Sequence, residues 1–551
     1  MKKIYYIFAV AAILLGSFVF TGCEKFLTTN PSTEIPDANA ISSVSSLQKV
    51  LISAYKQLLF NTSSVENGDR IFGGIPGMQM YWDLRGQDIM SHENMGGSQV
   101  SSYSFSPSFT RADGDSKYMW SFGYALINQC NIILDALKQF ENDATEAQAV
   151  KEIKGQCQAM RAIANFYMVM SYQQTYAIAK DKRGIIIRTS SEDPTSKGFS
   201  TVQEVYDQIT TDLSEAKANL ANFKADQPWK INQEVVMGWQ ARVYQVMQDW
   251  KKCYEAASAV YGNHSQLLTK EQWYSGFDDC VKNGYQEVVW AITYTNENNM
   301  GGGTQFNFWH NQDPGTYGEA QTGIYRFFDF FATEDYVALF DEGDWRGAKI
   351  PVGTTFETPM DLEKAELQVM FWHRQFAGST DWKTKWVYNK WKHYGDEANL
   401  TVPDICLMRG TEMLLIMAEA LANQGDSGGA IALLNKLQSS RGAKLTTVTE
   451  KNALLEEIYI ERRKELLGEG VTGQYDLVRL QKSLTRKGVT DDNPGGHYPY
   501  GVNQFDGYSA ADPIGTLPSN DYRWFFQIPD AEFSYNSAID ATRDQNPFSG
   551  R

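Results

Sequence analysis

Cysteine is scarce in this 551-residue chain, with six in all. Beyond Cys23 there remain Cys130, Cys157, Cys253, Cys280 and Cys406. Their number is odd and their spacing wide. No Cys-x-x-Cys and no Cys/His cluster occurs, so neither a zinc site nor a disulfide framework is indicated. Cys130, Cys157 and Cys253 fall in helical patterns and read as small buried hydrophobes. Positive charge is also short: 50 Lys and Arg face 66 Asp and Glu, a formal net charge of -16. Such a body offers no electrostatic footprint for nucleic acid or anionic headgroups, and neutral ligands suit it better. Catalytic motifs are missing as well. Gly301 to Gly303 lacks the Gly-Lys-Ser/Thr end of a phosphate loop, and His92-Glu93 lacks the second histidine of a zincin. Gly97-Ser98 is no nucleophile elbow, and Asp113-Gly114-Asp115 is too short for a calcium loop. No catalytic residue, metal or cofactor is expected.

One uncharged apolar run stands at the N-terminus. Lys2 and Lys3 precede Ile4 to Phe20, and Thr21, Gly22 and Cys23 follow. The run is slightly short of the ~20 residues a membrane span needs, and it ends on small residues and a cysteine. The pattern is a bacterial secretory leader over 1–22. Phe-Thr-Gly-Cys resembles a lipobox, in which Cys23 becomes the diacylated N-terminus after cleavage. Polar residues with Pro31 and Pro36 then make 23–45 a tether.

Helical periodicity is abundant, most of all from Leu407 to Arg479. Leu407, Thr411, Leu414, Leu415, Ala418, Leu421 and Ala422 share one helical face, and Gly425 supplies a left-handed stop. A second helix carries Ala430, Ile431, Leu434 and Leu437, capped by Asp426 or Ser427, with Gly442 past its end. So short a turn makes the pair antiparallel, with Ala418, Ala420 and Ala430 near the crossing, a tetratricopeptide-like hairpin. A third helix buries Leu455, Ile458, Tyr459 and Leu466. Arg462 lies on the same stripe and needs a carboxylate, for which Glu465, Glu412 and Glu419 are the candidates. This charge network is read as structural rather than catalytic.

Helical patterns also cover 46–60 and 118–261, so the expected class is mainly α. A helical-hairpin scaffold (46–60, 118–261 and 404–482) would carry an irregular, loop- and short-strand-containing ligand-binding subdomain (61–117, 262–403 and 483–525). Within it, Glu287 to Thr295 and the stretch around Trp386 and Tyr388 read as strands. The 72 aromatics, 29 Phe, 29 Tyr and 14 Trp, exceed what a helical scaffold needs. They hint at ring platforms on the surface.

Long irregular stretches inside a compact domain are usually functional. Two of them combine rings with polar groups, as sugar recognition requires: rings cover the C–H faces of a pyranose and polar groups satisfy its hydroxyls. One holds Tyr81, Trp82, Asp83, Arg85 and Asp88; the other holds Phe308, Trp309, Asn311, Asp313 and Tyr317. Two competing readings are a helical glycoside hydrolase, with Asp83 and Asp88 or Asp313 as paired carboxylates, and an architectural repeat protein that docks a partner peptide.

Several segments, in order, carry a family likeness: Cys23 with EKFLTTNPS; RAIANFYMVMSYQQTYA before TVQEVYDQITTDLSEAKANL; AEALANQGDSGGAIALLNKLQSSRG; YIERRKELLGEGVTGQYDLVR; and FFQIPDAEF with Asp544-Gln545-Asn546-Pro547. The chain resembles the SusD/RagB family over almost its whole mature length. The resemblance implies a lipoprotein held on the outer membrane through Cys23. Such a protein captures oligosaccharide or polysaccharide, less often peptide, and acts as a hinged lid on a SusC-like TonB-dependent transporter.

Overall fold

The computed structural model describes residues 41–60, 74–91, 103–105, 111, 114–275, 277, 280–293, 330–349, 371–374, 385–388, 390, 404–488, 490, 497, 505–509 and 511–547. Among them, 11 helices of seven or more residues form the scaffold. The N-terminal ones are α1 (Val44–Phe60), α2 (Gly74–Leu84), α3 (Gly114–Leu137), α4 (Ala147–Tyr172), α5 (Val202–Asn219), α6 (Gln233–Met247) and α7 (Trp250–Tyr261). The C-terminal ones are α8 (Gly410–Gln424), α9 (Ser427–Ser440), α10 (Lys451–Leu466) and α11 (Gly473–Arg479).

Local chemistry sets their ends. Thr201 and Glu204 form a reciprocal capping box at the start of α5. Asn232, Asp249 and Asp426 accept backbone N–H groups at the starts of α6, α7 and α9. Gly425, at φ +88°, takes the left-handed conformation that stops α8 and lets α9 begin at once. Neighbouring helices pack pairwise, α3 on α4, α4 on α5, α6 on α7 and α8 on α9. Helix α7 also packs on α8, so the two halves form one array despite the long stretch of chain between them. Ala418, Ala420 and Ala430 are fully buried in it.

Eight short strands and several shorter helical turns accompany these helices among the described residues. Val288–Ile292 (β2) pairs antiparallel with Ile405–Arg409 (β6), and Leu484–Lys487 (β7) with Ile514–Leu517 (β8). The third sheet has the order β1-β3-β5-β4, from Ile89–Ser91 (β1), Phe330–Ala332 (β3), Lys385–Tyr388 (β5) and Phe371–Arg374 (β4). Leu407 therefore sits in a strand rather than on the face of α8. Strand β6 is buried at every position, and such a strand reads as a continuous apolar run with no alternation to separate it from the helix behind it.

Among the described residues, the aromatics mostly serve the core. Trp82, Trp239, Trp273, Trp290 and Trp524 are among the largest fully buried side chains. Phe166 meets Tyr167, Tyr206, Trp239 and Tyr475 at centroid distances of 5.8 to 6.5 Å. Among the described residues, the most exposed large hydrophobic is Tyr535, at 78%.

Candidate functional site

The first aromatic stretch is not a surface loop. Gly74 to Leu84 is a helix buried at every position. Pro76 is tolerated because it stands in the first turn, where its missing N–H has no partner to lose. Trp82 lies between Tyr167 and Tyr475, at centroid distances of 4.8 and 5.7 Å. Tyr81 stacks on Phe526 at 5.3 Å. The Arg85 guanidinium donates to Gln474 Oε1 at 3.0 Å, Trp524 O at 2.8 Å and Arg523 O at 2.7 Å, and sits 4.1 Å from the Phe105 ring centroid.

The two acids are enclosed as well. Asp83 accepts from the N–H groups of Gly468 and Gly470, both at 2.9 Å, and from the Thr472 hydroxyl at 2.7 Å. Burial pushes its carboxyl up to about 7, against the pull of those three donors. Asp88 is taken up by a fork from Arg463, Nε to Oδ2 at 3.0 Å and Nη2 to Oδ1 at 2.5 Å. Tyr81, Trp82, Asp83, Arg85 and Asp88 are at most 4% exposed, so they brace the fold where ligand contact was expected. Asp83 and Asp88 do not present a pair of carboxylates to a substrate.

The charged helices behave differently from their expected pairing. Arg462 donates to Asp476 at 2.8 Å and to Val471 O at 2.8 Å, and takes no acid from α8 or its own helix. Glu412 instead receives a fork from Arg242, both bonds 2.7 Å, and Glu419 one from Arg479 at 2.6 and 2.9 Å. Glu465 turns into a cluster that periodicity could not reveal, because its partners come from distant segments. It accepts from Arg346 at 2.7 Å, Arg409 at 2.9 Å and Arg441 at 2.9 Å. Burial alone would raise its pKa, but the three guanidiniums override it and hold the carboxyl well below the usual range. Glu287, Asp344, Glu461 and Glu469, with Lys390 and Lys464, extend the cluster. Every carboxylate in it is committed to a cation, which suits clamping rather than proton transfer.

The four-stranded sheet has its strand ends in a defined register. Ser91 pairs with Phe330, Ala332 with Trp386, and Tyr388 with Phe371. These registers bring the end of β1, the start of β3, the end of β5 and the start of β4 to one end of the sheet. The chain leaves the described strands at that end into residue 92 and enters them there from residues 329 and 370. Phe308, Trp309, Asn311, Asp313 and Tyr317 belong to the segment that enters β3 and lie outside the described residues, as does Cys23. Asp88 fastens this sheet to the scaffold, since its carbonyl also accepts from Thr333 N at 2.9 Å. Elsewhere, an open groove of about 470 Å³ separates Ala225–Asn232 from Cys280–Ala291, with Tyr285 on one wall and the Asp226–Lys230 ion pair (2.7 Å) on the other.

Known proteins resemble this architecture. A family model described as "SusD family" matches residues 338–548, and one described as "Starch-binding associating with outer membrane" matches 26–245. No helix of the described residues is long and apolar enough to cross a membrane. A SusD-like protein of Formosa agariphila is 23% identical over 526 residues, covering 88% of this chain and 93% of its own. A SusD-like carbohydrate binding protein from Bacteroides vulgatus is 25% identical, with a TM-score of 0.73 over 92% of this chain and 99% of its own. A SusD superfamily protein from Bacteroides thetaiotaomicron, 23% identical, has a TM-score of 0.68 over 92% of this chain and 100% of its own. The ordered segments, the helical-hairpin array and these matches agree: the chain belongs to the SusD/RagB family.

Proposed function

We propose that this protein is a non-catalytic carbohydrate-binding lipoprotein of the outer membrane. Lipidated Cys23 anchors it. It captures an oligosaccharide or polysaccharide outside the cell and delivers it to a SusC-like TonB-dependent transporter, over which it acts as a lid. The observation that carries the binding reading is the near full-length likeness to a SusD-like carbohydrate binding protein. The register of the four-stranded sheet supports it, since the strand ends next to residues 92, 329 and 370 share one end of the sheet, and loops on a rigid frame can offer rings and polar groups without disturbing packing. Phe308, Trp309 and Tyr317 supply the rings in this reading, and Asn311 and Asp313 bond the hydroxyls.

Isothermal titration of the purified chain against neutral polysaccharides, acidic polysaccharides and a peptide pool tests it. Binding to a glycan without release of shorter products is expected. Release of shorter sugars would overturn the non-catalytic reading, and binding confined to peptides would overturn the carbohydrate reading.

A further inference from the structure

Two thiols meet inside the scaffold. Cys130 on α3 and Cys157 on α4 are both fully buried, and neither takes part in the ion pairs or in the sheet described above. Helices α3 and α4 pack against each other, and three contacts set their antiparallel register. The Tyr172 hydroxyl donates to Ser116 O at 2.5 Å. A Cβ added at Gly123 would fall 2.3 Å from Met168 Sδ. Arg161 Nη1 donates to Asn131 Oδ1 at 2.7 Å. Each step forward along α3 is a step back along α4, so this register sets residue 130 against the turn that contains 157 and 161. Cys157 stands four residues, one helical turn, before Arg161 and so shares the side of α4 that meets α3. Tyr55 of α1 closes over the same spot, its hydroxyl donating to Gln156 Oε1 at 2.7 Å. Cys253 and Cys406 differ: their thiols donate to backbone carbonyls, Ala241 O and Met408 O, each at 3.6 Å.

We infer that Cys130 and Cys157 form a disulfide that staples α3 to α4 when the chain folds in contact with a disulfide donor. The exchange balances in two steps. One cysteine gives up its proton, and its thiolate attacks the donor's S–S bond. A mixed disulfide forms and one donor sulfur leaves as a thiolate. The second protein thiolate then displaces the other donor sulfur. Two S–H bonds have become one S–S bond, and two electrons and two protons end on the donor, now two thiols. Export, as proposed above, would carry the chain through a compartment where such donors act; the pairing itself rests on the helix register.

Burial also sets the timing. It pushes the Cys157 thiol well up, and a buried thiol is a poor nucleophile. Exchange therefore belongs to the stage before α1 covers the hairpin. Once the core has closed, the same burial shields the bond from reductant. The cross-link restrains the unfolded hairpin and so favours its formation.

Peptide mapping decides the matter. The full chain is refolded with oxidised and reduced glutathione, alkylated in denaturant, digested without reductant and mapped by mass spectrometry. A cross-linked peptide pair holding Cys130 and Cys157 is expected, with Cys253, Cys280 and Cys406 alkylated. Dithiothreitol should leave the link intact in native buffer and remove it in urea. Cys130→Ser should then expose Cys157 to alkylation. The wild-type map is decisive even if that variant does not fold: alkylation of both cysteines without prior reduction, or pairing of either with any other cysteine, overturns the inference.

Discussion

Arg463 and Asp88 lock the four-stranded sheet to the scaffold through two parallel hydrogen bonds, 3.0 and 2.5 Å long, with both residues buried. Removing one partner leaves the other as an uncompensated buried charge, a loss of about 3–5 kcal/mol. Asp88→Asn and Arg463→Met should each lower the denaturation midpoint accordingly. Arg463→Lys should recover only part, since an ammonium cannot reproduce the planar fork. A loss below about 1 kcal/mol, the range of an exposed pair, would show that the fork is not a clamp.

Glu465 should be the least replaceable acid. Glu465→Gln takes a carboxylate from Arg346, Arg409 and Arg441 at once; Arg346 keeps Asp344 and Glu461 and Arg409 keeps Glu287 and Glu469, but Arg441 is left with backbone oxygen alone, so the cost should reach ~4 kcal/mol. Urea unfolding beside Glu450→Gln, a substitution at an exposed helix cap, gives the comparison. Equal stabilities of the two variants would refute the clamp.

Trp82→Ala and Trp309→Ala should part company. Trp82 is packed between two tyrosines, and its truncation should cost about 3–5 kcal/mol of stability. Trp309→Ala should leave the melting temperature unchanged and weaken glycan binding about tenfold, which corresponds to ~1.4 kcal/mol. Calorimetry of both variants reads both quantities. Unchanged affinity in Trp309→Ala would remove that ring from the proposed site.

Asp83 predicts a pH dependence. Its carboxyl is pushed from 3.8 up to about 7 in the folded chain, so between those values the folded state binds the extra proton. Stability contributed by the neutral acid is then full below about pH 4 and lost as pH rises through 7. The stability gap between the wild type and Asp83→Asn should narrow over that window. A gap that is flat, or widens, from pH 4 to 8 would mean that the three donors around Asp83 outweigh its burial.

The hairpin of α8 and α9 was legible because both signals were local: a 3.6-residue period and Gly425 at the stop. The helix of Gly74–Leu84 was not, since Gly74, Pro76 and Gly77 argue for a loop. Burial at every position, with Trp82 against Tyr167 and Tyr475, Tyr81 against Phe526, and the flanking helices α1 and α11 packed on it, holds it as a helix. The partner of Arg462 was missed for a related reason. Asp476 lies 14 residues on, beyond a turn whose geometry no period encodes. Arg346 and Glu287, which complete the cluster around Glu465, come from the region read as irregular, where sequence spacing says nothing about proximity.

The cluster around Glu465 has one more consequence. Among the described residues, five cations, Arg346, Lys390, Arg409, Arg441 and Lys464, face five anions, Glu287, Asp344, Glu461, Glu465 and Glu469. They are drawn from segments spread over most of the second half of the chain. No one segment can peel away without leaving bare charge behind in a dry interior. Partial opening is therefore strongly disfavoured, and the C-terminal helices and the strands around them should melt as one cooperative unit.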